Sequence, residues 1–356
     1  MKLPSHGANP HYLYKSIGLP LPEQWIDFSV NTNPYPLPLS IWPTQAEFYK
    51  WATEYPDPDA TELKSYLART ERLSTEQLFI GNGASECIYL LARLFSGKRV
   101  GIVEPTFSEY RRACESNGCT VLSIVSDEAR GWMHAQSDLV TMIEQVDVIF
   151  LCHPNNPTGT VMKKEKFFSL LEAAKRAGTF VVIDEAFYHF WDEPFTALEW
   201  ISLFSHLIVI RSLTKMYHLA GVRIGYIAAD EAIIRKIRAF QPPWSASQVA
   251  QQLAMRLLPL NEFVARTRRM IASERSRITA ALQEAGYYVS RSVVNFYLLR
   301  APERSTEELL YDLLREGLIP RHTKNFNGLN GDYLRLAVKT KEENDQLLSF
   351  LIRWLS

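Results

Sequence analysis

The sequence predicts an α/β protein with a mainly parallel sheet flanked by helices and a smaller α+β domain. Between about residues 78 and 230, short apolar or β-branched runs alternate with longer segments of helical period, as in chains built from βα units. Beyond Pro242 and Pro243, long helical stretches and a few separate strand-like runs replace this alternation. We therefore expect a large domain at 45–240, and a second unit in which 1–44 is an N-terminal arm and 241–356 a small domain.

The individual elements follow from the same patterns. Runs that are apolar throughout are typical of strands buried on both faces of a parallel sheet. The expected strands of the large sheet are 78–80, 99–103, 120–125, 147–152, 180–184, 207–211 and 224–228. Segments 85–95 and 163–177 carry apolar residues at the spacing of one buried helix face. In the small domain we expect strands at 287–290, 295–300 and 333–338, a helix at 306–316 and a final helix.

The region before residue 45 has a different character. It is rich in proline, which fixes the backbone and removes a hydrogen-bond donor at each occurrence. The residue before each proline is also biased toward extended conformations. We therefore expect an extended arm here rather than packed helices.

Composition and charge exclude several classes of protein. The 39 Lys+Arg residues balance 39 Asp+Glu residues, so the chain lacks the strong attraction to polyanions of a nucleic-acid or anionic-membrane binder. No signal or transit peptide is visible at the N-terminus, and no apolar run approaches the roughly 20 residues that span a bilayer. The 4 cysteines contain no C-x-x-C pair, so no metal site is expected. A cytoplasmic protein that binds neither nucleic acid nor membrane is the expectation.

Two segments near expected strand ends are candidate ligand-binding segments. The first would bind an anion through backbone N–H groups, and the second supplies a side-chain amide. The first, GNGASE at 81–86, opens a helix and would hold a phosphate through the backbone N–H groups of Ala84 and Ser85. Glu86 stands where a dinucleotide fingerprint requires a third glycine, and a plain tight turn is the alternative. The second, HPNNPTG at 153–159, places Asn156 at the edge where open α/β sheets bind ligands. Turn chemistry alone is the alternative for that segment.

Two further segments carry ionisable groups. Asp184 ends the apolar run VVID at 181–184, where a carboxylate is either a helix cap or a functional acid. Lys215 ends RSLTK at 211–215, with Arg223 eight residues further on. A lysine beside hydroxyls and an arginine suits a site where an amine bonds an aldehyde and its neighbours grip a phosphate. A P-loop is disfavoured because G-x-x-x-x-G-K-[ST] is absent.

Taken in this order, the four segments resemble those of the fold-type-I pyridoxal-phosphate enzymes, the aspartate aminotransferase superfamily. The resemblance covers nearly the whole chain and implies pyridoxal 5'-phosphate as the cofactor. It implies that Lys215 bonds the cofactor's aldehyde, Asp184 keeps the pyridine nitrogen protonated and Asn156 donates to the phenolic oxygen. The phosphate-binding residues that it implies are Ala84, Ser85, Ser212, Thr214 and Arg223.

The resemblance implies roles for two aromatic residues as well. Phe107, in EPTF at 104–107, occupies the position of the ring that stacks on the pyridine. Tyr55, in YPDP at 55–58, is similar to the tyrosine that reaches the cofactor phosphate of the other subunit, which implies a homodimer with shared sites. Ordinary core or turn aromatics are the alternative for both positions.

Candidate substrate-binding residues are mostly cationic. Arg335 lies in the apolar run YLRLAV at 333–338, where an unpaired arginine is costly. The resemblance implies that it binds the substrate's anionic end, usually the α-carboxylate, and a structural salt bridge is the alternative. For a substrate phosphate the further candidates are Arg321, His6, Asn33, His322 and Lys324, with Arg321 preferred.

Within the superfamily the chain resembles two groups, the histidinol-phosphate aminotransferases and the threonine-phosphate decarboxylases of the cobalamin pathway. HGAN at 6–9, DFSVNTNP at 27–34 and PWS at 243–245 favour the second group, as does Phe187, where most aminotransferases have tyrosine. The implied reaction is decarboxylation of L-threonine O-3-phosphate to aminopropanol phosphate. The alternative is an aminotransferase acting on histidinol phosphate or an aromatic amino acid. A silent cofactor-binding regulator is disfavoured, since no basic DNA-binding stretch is visible.

Overall fold

A computed structural model describes residues 3–355, which form three sheets with helices packed around them. The helices are α1 (Pro10–Ile17), α2 (Gln45–Thr53), α3 (Thr61–Glu71), α4 (Gly83–Leu94), α5 (Glu109–Ser116), α6 (Gln136–Gln145), α7 (Lys164–Ala177), α8 (Glu231–Arg238), α9 (Gln248–Leu257), α10 (Asn261–Glu284), α11 (Thr306–Arg315) and α12 (Lys341–Leu355). The strands are β1 (Ile26–Asp27), β2 (Leu78–Gly81), β3 (Arg99–Glu104), β4 (Thr120–Val125), β5 (Val148–Cys152), β6 (Phe180–Asp184), β7 (Leu207–Ser212), β8 (Gly225–Ala229), β9 (Tyr288–Val289), β10 (Phe296–Arg300), β11 (Leu318–Ile319), β12 (Arg321–His322) and β13 (Leu334–Ala337). Across residues 3–355, every helix is too short or too polar to cross a membrane.

The large sheet confirms the predicted α/β class. Its seven strands have the order β2-β8-β7-β6-β5-β3-β4, and only β8 runs against the others. All the strands expected between 78 and 230 take part, with bounds within one residue of those predicted. Because β5, β6 and β7 are parallel neighbours, their carboxyl ends meet at one edge of the sheet.

The continuous apolar runs of the central strands are explained by helices on both faces. In β5, Ile149 and Leu151 belong to one hydrophobic cluster, whereas Val148 and Phe150 belong to the cluster on the other face. Successive side chains of a strand point to opposite faces, so a strand covered on both sides needs apolar residues at every position. The buried sheet thereby forms a rigid base for the loops that follow its strands.

The expectation of an arm without packed helices is wrong for one segment. Pro10 begins the helix α1, and the side chain of Asn9 accepts a hydrogen bond of 3.0 Å from the N–H of Tyr12. Proline is tolerated at the first helical position because its missing N–H would have no intrahelical partner there. Tyr14 anchors the helix, since its buried hydroxyl donates to the Leu314 carbonyl at 2.5 Å. The arm therefore contains one helix packed on the carboxyl-terminal part of the chain.

The carboxyl-terminal region contains the predicted elements and two short strands that were not predicted, β11 and β12, while a third, β1, lies in the arm. A four-stranded antiparallel sheet has the order β12-β13-β10-β9, and β1 of the arm pairs with β11 in parallel. The strands β1, β11 and β12 are only two residues long, which is too short for a periodic sequence signal. All strands of the large sheet lie within 45–240 and those of the four-stranded sheet within 241–356. The domain boundaries themselves stay predictions.

Candidate active site

A cavity of about 400 Å³ lies at the carboxyl ends of β5, β6 and β7, beside the start of α4. The arm and the strands β12 and β13 contribute to its walls. Nearly all the site residues predicted from the sequence line this cavity: Ala84, Ser85, Phe107, Asn156, Asp184, Ser212, Thr214, Lys215, Arg223, Arg321, Arg335 and His6. The fold thus brings together residues from both ends of the chain.

Lys215 supplies an amine to the cavity. Burial and the nearby positive charges of Arg335 and Arg223 together lower its pKa to about 8, against the opposing effect of Asp184. The Nζ atom lies 3.4 Å from the Oδ1 atom of Asn31. An amine with this pKa is partly neutral near neutral pH, and only the neutral form can attack an aldehyde.

Asp184 supplies a carboxylate at the end of β6. Its Oδ2 atom accepts a hydrogen bond of 2.7 Å from the hydroxyl of Tyr110, and its Oδ1 atom accepts one of 2.9 Å from the N–H of Ala186. Burial raises the pKa of Asp184, while these two donors and the charge of Lys215 act in the opposite direction. The arrangement can present a fixed negative charge to a cationic group in the cavity.

The start of α4 and the loop after β7 form an anion cradle. Asn82, the N-cap residue, makes no side-chain hydrogen bond to the first turn, so the N–H groups of that turn remain for a ligand. The facing groups are the Ser212 and Thr214 hydroxyls, 2.8 Å apart, and the guanidinium of Arg223. A Cβ on Gly83, whose φ is +77°, would lie 2.6 Å from an Arg223 nitrogen. The left-handed backbone conformation therefore favours glycine there, and a side chain would have to displace the Arg223 guanidinium.

The donor set fits pyridoxal 5'-phosphate. The anion cradle matches the cofactor's phosphate, Lys215 its aldehyde and Asp184 its ring nitrogen. The side chain of Asn156 also fits, because its Oδ1 atom accepts from Arg335 at 2.6 Å and leaves the amide nitrogen to donate. Phe107, in the same lining, offers an aromatic face. One cavity therefore holds a partner for each polar group of the cofactor.

Arg335 and Arg321 form a pair of buried cations. They are directly opposite each other on the antiparallel strands β13 and β12, a position where like charges destabilise a sheet. Burial lowers the pKa of Arg335 to about 10, against the opposing charge of Asp27, and burial together with the charge of Arg335 lowers the pKa of Arg321 to about 9. Burying two positive charges side by side is unfavourable unless an anion binds between or beside them. The pair therefore indicates a site for an anionic ligand.

The partners of the two arginines are neutral oxygens. Arg335 donates to Asn156 Oδ1 and, at 2.7 Å, to the Ser29 carbonyl, while its buried Nε has no hydrogen-bond partner within residues 3–355. Arg321 donates to the carbonyls of His322 and Ser5 at 2.8 and 2.6 Å. Within residues 3–355, Arg335 forms no ion pair at 4 Å or less, although the charge of Asp27 acts on it from further away, so the structural salt bridge considered for it is not formed.

Asn33 does not reach the cavity. Its side chain is completely buried, where Nδ2 donates to the Met216 carbonyl at 2.9 Å and Oδ1 accepts from the Tyr35 N–H at 2.9 Å. Its own N–H donates to the Lys215 carbonyl at 2.9 Å. Asn33 thus fixes the backbone next to Lys215, and this structural role replaces the predicted contact with substrate.

His6 and Tyr55 lie at the surface. His6 is half exposed at the edge of the cavity, with Nε2 at 3.0 Å from Glu109 Oε1. Tyr55 is 82% exposed, lies outside the cavity and packs against Trp244 with ring centroids 5.1 Å apart. The exposed side chain of Tyr55 is compatible with a role in another subunit's site, and that role stays a prediction. His322 donates from Nε2 to the Pro4 carbonyl at 2.7 Å, and Lys324 pairs with the exposed Glu307.

Two residues of the site, Asn31 and Tyr110, were not among those predicted from the sequence. Asn31 contacts Lys215 and Tyr110 contacts Asp184, and both line the cavity. A weak signal existed for Tyr110, which lies three residues after Phe107 where a helix begins, a spacing that places both on one side. For Asn31, the segment VNTNP has two asparagines, and no local pattern distinguishes the one that faces the cavity.

Phe187 brings an apolar ring to the cavity wall. It is buried, packs edge-on against Phe296 with centroids 4.8 Å apart, and its ring centre lies 5.8 Å from Lys215 Nζ. A phenylalanine has no hydroxyl to donate to a ligand. The wall next to the amine is therefore apolar at this position.

Comparison with known proteins is consistent with this site. A threonine-phosphate decarboxylase of Salmonella typhimurium is 31% identical over 98% of this chain and 95% of its own. A decarboxylase of Sulfurospirillum multivorans superposes with a TM-score of 0.88 at 27% identity, over 100% of this chain and 94% of its own. The histidinol-phosphate aminotransferase of Clostridium acetobutylicum superposes with a TM-score of 0.86 at 31% identity, over 92% and 98%.

The fold and the cavity define a pyridoxal-phosphate-dependent enzyme of fold type I. The cofactor and superfamily expected from the sequence are thus confirmed. The chain belongs to the family described as aminotransferase class I and II, which it matches over residues 23–351. Similar proteins include both decarboxylases and aminotransferases, so family membership leaves the reaction open.

Proposed function

We propose that the enzyme decarboxylates L-threonine O-3-phosphate to aminopropanol phosphate, a step of cobalamin biosynthesis. The observation that carries the proposal is the pair of buried cations Arg335 and Arg321, which lack carboxylate partners within residues 3–355. A phosphorylated α-amino acid has two anionic groups for these two guanidiniums. Histidinol phosphate has only its phosphate. The resemblance to the Salmonella typhimurium decarboxylase supports the same substrate class.

Phe187 supports decarboxylation over transamination. The tyrosine usual at this position in aminotransferases donates to the cofactor's phenolic oxygen, and Phe187 cannot do so. The Phe187 ring instead adds an apolar surface beside Lys215. An apolar surrounding disfavours the charged carboxylate relative to neutral carbon dioxide, and therefore favours its loss.

The residues of the chain have separate tasks in this reaction. Bound pyridoxal 5'-phosphate supplies the sink for the electron pair that is left when a bond to the substrate's Cα breaks. Asp184 keeps a proton on the ring nitrogen by its negative charge, which strengthens that sink. Arg335 and Arg321 orient the substrate's anionic groups and so decide which Cα bond is broken. After carbon dioxide leaves, Lys215 can return a proton to Cα through its Nζ atom.

Incubation of the holoenzyme with threonine phosphate is expected to release carbon dioxide without any keto-acid acceptor. Decarboxylation conserves the amino group, so no acceptor is required. The measurement is carbon dioxide release together with the product's amine content. A parallel reaction with histidinol phosphate and 2-oxoglutarate is the control. If turnover of either substrate requires 2-oxoglutarate, the enzyme is an aminotransferase and the decarboxylase proposal fails.

The aminotransferase is the second candidate function, acting on histidinol phosphate or an aromatic amino acid. Its support is the superposition on the Clostridium acetobutylicum histidinol-phosphate aminotransferase at 31% identity. The pair of arginines is compatible with it, because a dicarboxylate amino-group acceptor also has two anionic groups. The keto-acid requirement in the assay above separates the two functions.

We further propose that the enzyme is a homodimer whose subunits share their active sites. Tyr55 and Trp244 form an exposed aromatic pair, and α2 exposes Phe48 and Tyr49 nearby in sequence. Exposed aromatic surface of this kind marks protein contacts. Tyr55 would then contact the cofactor phosphate in the partner's cavity. The proposed location is the cytoplasm, which the four unpaired cysteines support.

Mixing two inactive variants tests the shared site. Tyr55→Ala is expected to weaken cofactor binding, and Lys215→Ala to remove the reactive amine. In a hybrid dimer one site would carry both changes and the other neither, so mixing should restore activity. If Tyr55 acts within its own subunit, every site of the hybrid stays defective and no activity returns. Sedimentation of the unmixed enzyme gives the oligomeric state independently.

A further inference from the structure

Tyr110 connects two parts of the cofactor site. It is completely buried near the start of α5 and lines the cavity. Its hydroxyl donates to Asp184 Oδ2 at 2.7 Å, and its ring packs edge-on against Phe107 with centroids 5.8 Å apart. One side chain therefore contacts both the carboxylate and the aromatic ring for which cofactor contacts are proposed.

The hydrogen bond fixes the plane of the Asp184 carboxylate. Ala186 N–H occupies the other oxygen at 2.9 Å, so each carboxylate oxygen has one donor from the chain. Because both oxygens are held, rotation of the carboxylate about the Cβ–Cγ bond would break at least one of these two hydrogen bonds. A buried carboxylate that loses a donor also becomes easier to protonate.

The charge state of Asp184 depends on several neighbours. Burial raises its pKa, and among the groups that lower it the Tyr110 hydrogen bond is the largest. The titratable groups facing it are Tyr110 from α5, Cys87 from α4, Cys152 from β5, Lys215 after β7 and Glu185, which directly follows β6. Burial raises the pKa of both thiols and of the phenol, so these three stay neutral near neutral pH. The charge of Lys215 lowers the pKa of Asp184, whereas the charge of Glu185 raises it.

We propose that Tyr110 is a positioning residue that holds Asp184 ionised and in one plane, facing the ring nitrogen of the bound cofactor. The inference rests on the role proposed for Asp184. Tyr110 acts through Asp184 and through the Phe107 ring, and itself takes no part in the bonds that change. Its hydroxyl therefore determines the lowest pH at which the carboxylate can still pair with a protonated ring nitrogen.

Tyr110→Phe tests the hydroxyl while keeping the ring. Loss of the donor raises the pKa of Asp184, so cofactor affinity should fall at a higher pH than in the unchanged protein. We expect the pH of half-maximal cofactor binding on the acid side to rise by roughly one unit, a tenfold change in proton affinity. The measurement is titration of the apoprotein with pyridoxal 5'-phosphate from weakly acidic to weakly alkaline pH.

Tyr287→Phe is the matched control, since its buried hydroxyl donates to the Leu351 carbonyl at 2.9 Å outside the cavity. Tyr287→Phe should leave the pH of half-maximal cofactor binding unchanged. If Tyr110→Phe lowers affinity equally at all pH values, or unfolds far more readily than Tyr287→Phe without cofactor, the hydroxyl is a structural group and the proposal fails.

A double variant separates this inference from the role of Asp184. In an Asp184→Asn background, Tyr110→Phe should cause no further shift of the pH curve, because the titrating group is gone. A further shift in that background would overturn the proposal. Asp184→Asn alone should weaken cofactor binding, and if it does not, the role proposed for Asp184 fails first.

Discussion

Lys215→Ala is expected to lower turnover by about 10³-fold or more, because proton transfer by a positioned side chain contributes factors of this size. The Lys215 amine lines the cavity at the end of β7, and its pKa of about 8 lets it gain and lose protons near neutral pH. The absorbance band of cofactor covalently bound to this amine should disappear as well. Steady-state rates and the spectrum of the loaded protein measure the two effects.

Cofactor binding itself should persist in Lys215→Ala. The anion cradle of Ala84, Ser85, Ser212, Thr214 and Arg223 does not depend on the amine. Lys64→Ala is the matched control, because burial also lowers the pKa of Lys64 and that residue lies outside the cavity. If Lys215→Ala keeps the band and most of its turnover, another amine bonds the cofactor and the assignment is wrong.

Arg211→Leu is expected to lower the free energy of unfolding by about 3–5 kcal/mol, the cost of leaving a buried charge unpaired. Arg211 on β7 and Glu185, directly after β6, form an ion pair of 2.7 Å, with side chains only 2% and 1% exposed. The Thr196 hydroxyl donates a hydrogen bond to Glu185 and accepts one from Arg211. The Arg211 guanidinium also lies 3.8 Å from the centre of the Tyr188 ring. Urea denaturation of the apoprotein measures the change without any contribution from cofactor.

An exposed ion pair provides the comparison. Lys164 and Glu199 are 2.9 Å apart with side chains 47% and 50% exposed, so Lys164→Ala should cost less than about 1 kcal/mol. Replacing both buried partners, Arg211→Leu with Glu185→Leu, should recover most of the stability, because no charge is then left unpaired. A loss in Arg211→Leu no larger than in Lys164→Ala would show that the buried pair does not stabilise the fold.

Much of the site could be predicted because the chemistry lies at the ends of strands. Asn156, Asp184 and Lys215 each follow an apolar run, and parallel strands place such positions at one edge. Features outside the strands of the large sheet were harder to predict. Asn33 and Asn31 lie two residues apart in a segment outside any strand, where no alternation indicates which side chain faces inward. The helix α1 differs from the expectation because proline breaks a helix in its interior but is tolerated at the first helical position, where Pro10 stands.

The sequence by itself determined the α/β class, the positions of the large-sheet strands along the chain and the family, and it predicted most of the polar residues that line the cavity. These follow from local periodicity and from short motifs in which neighbouring residues act together. Only the tertiary structure decided that Arg321 lies opposite Arg335 and that Tyr110 bonds Asp184, 74 residues away. Such pairs depend on strand register and helix packing, which are set by the burial of the whole core and leave no mark in any short segment.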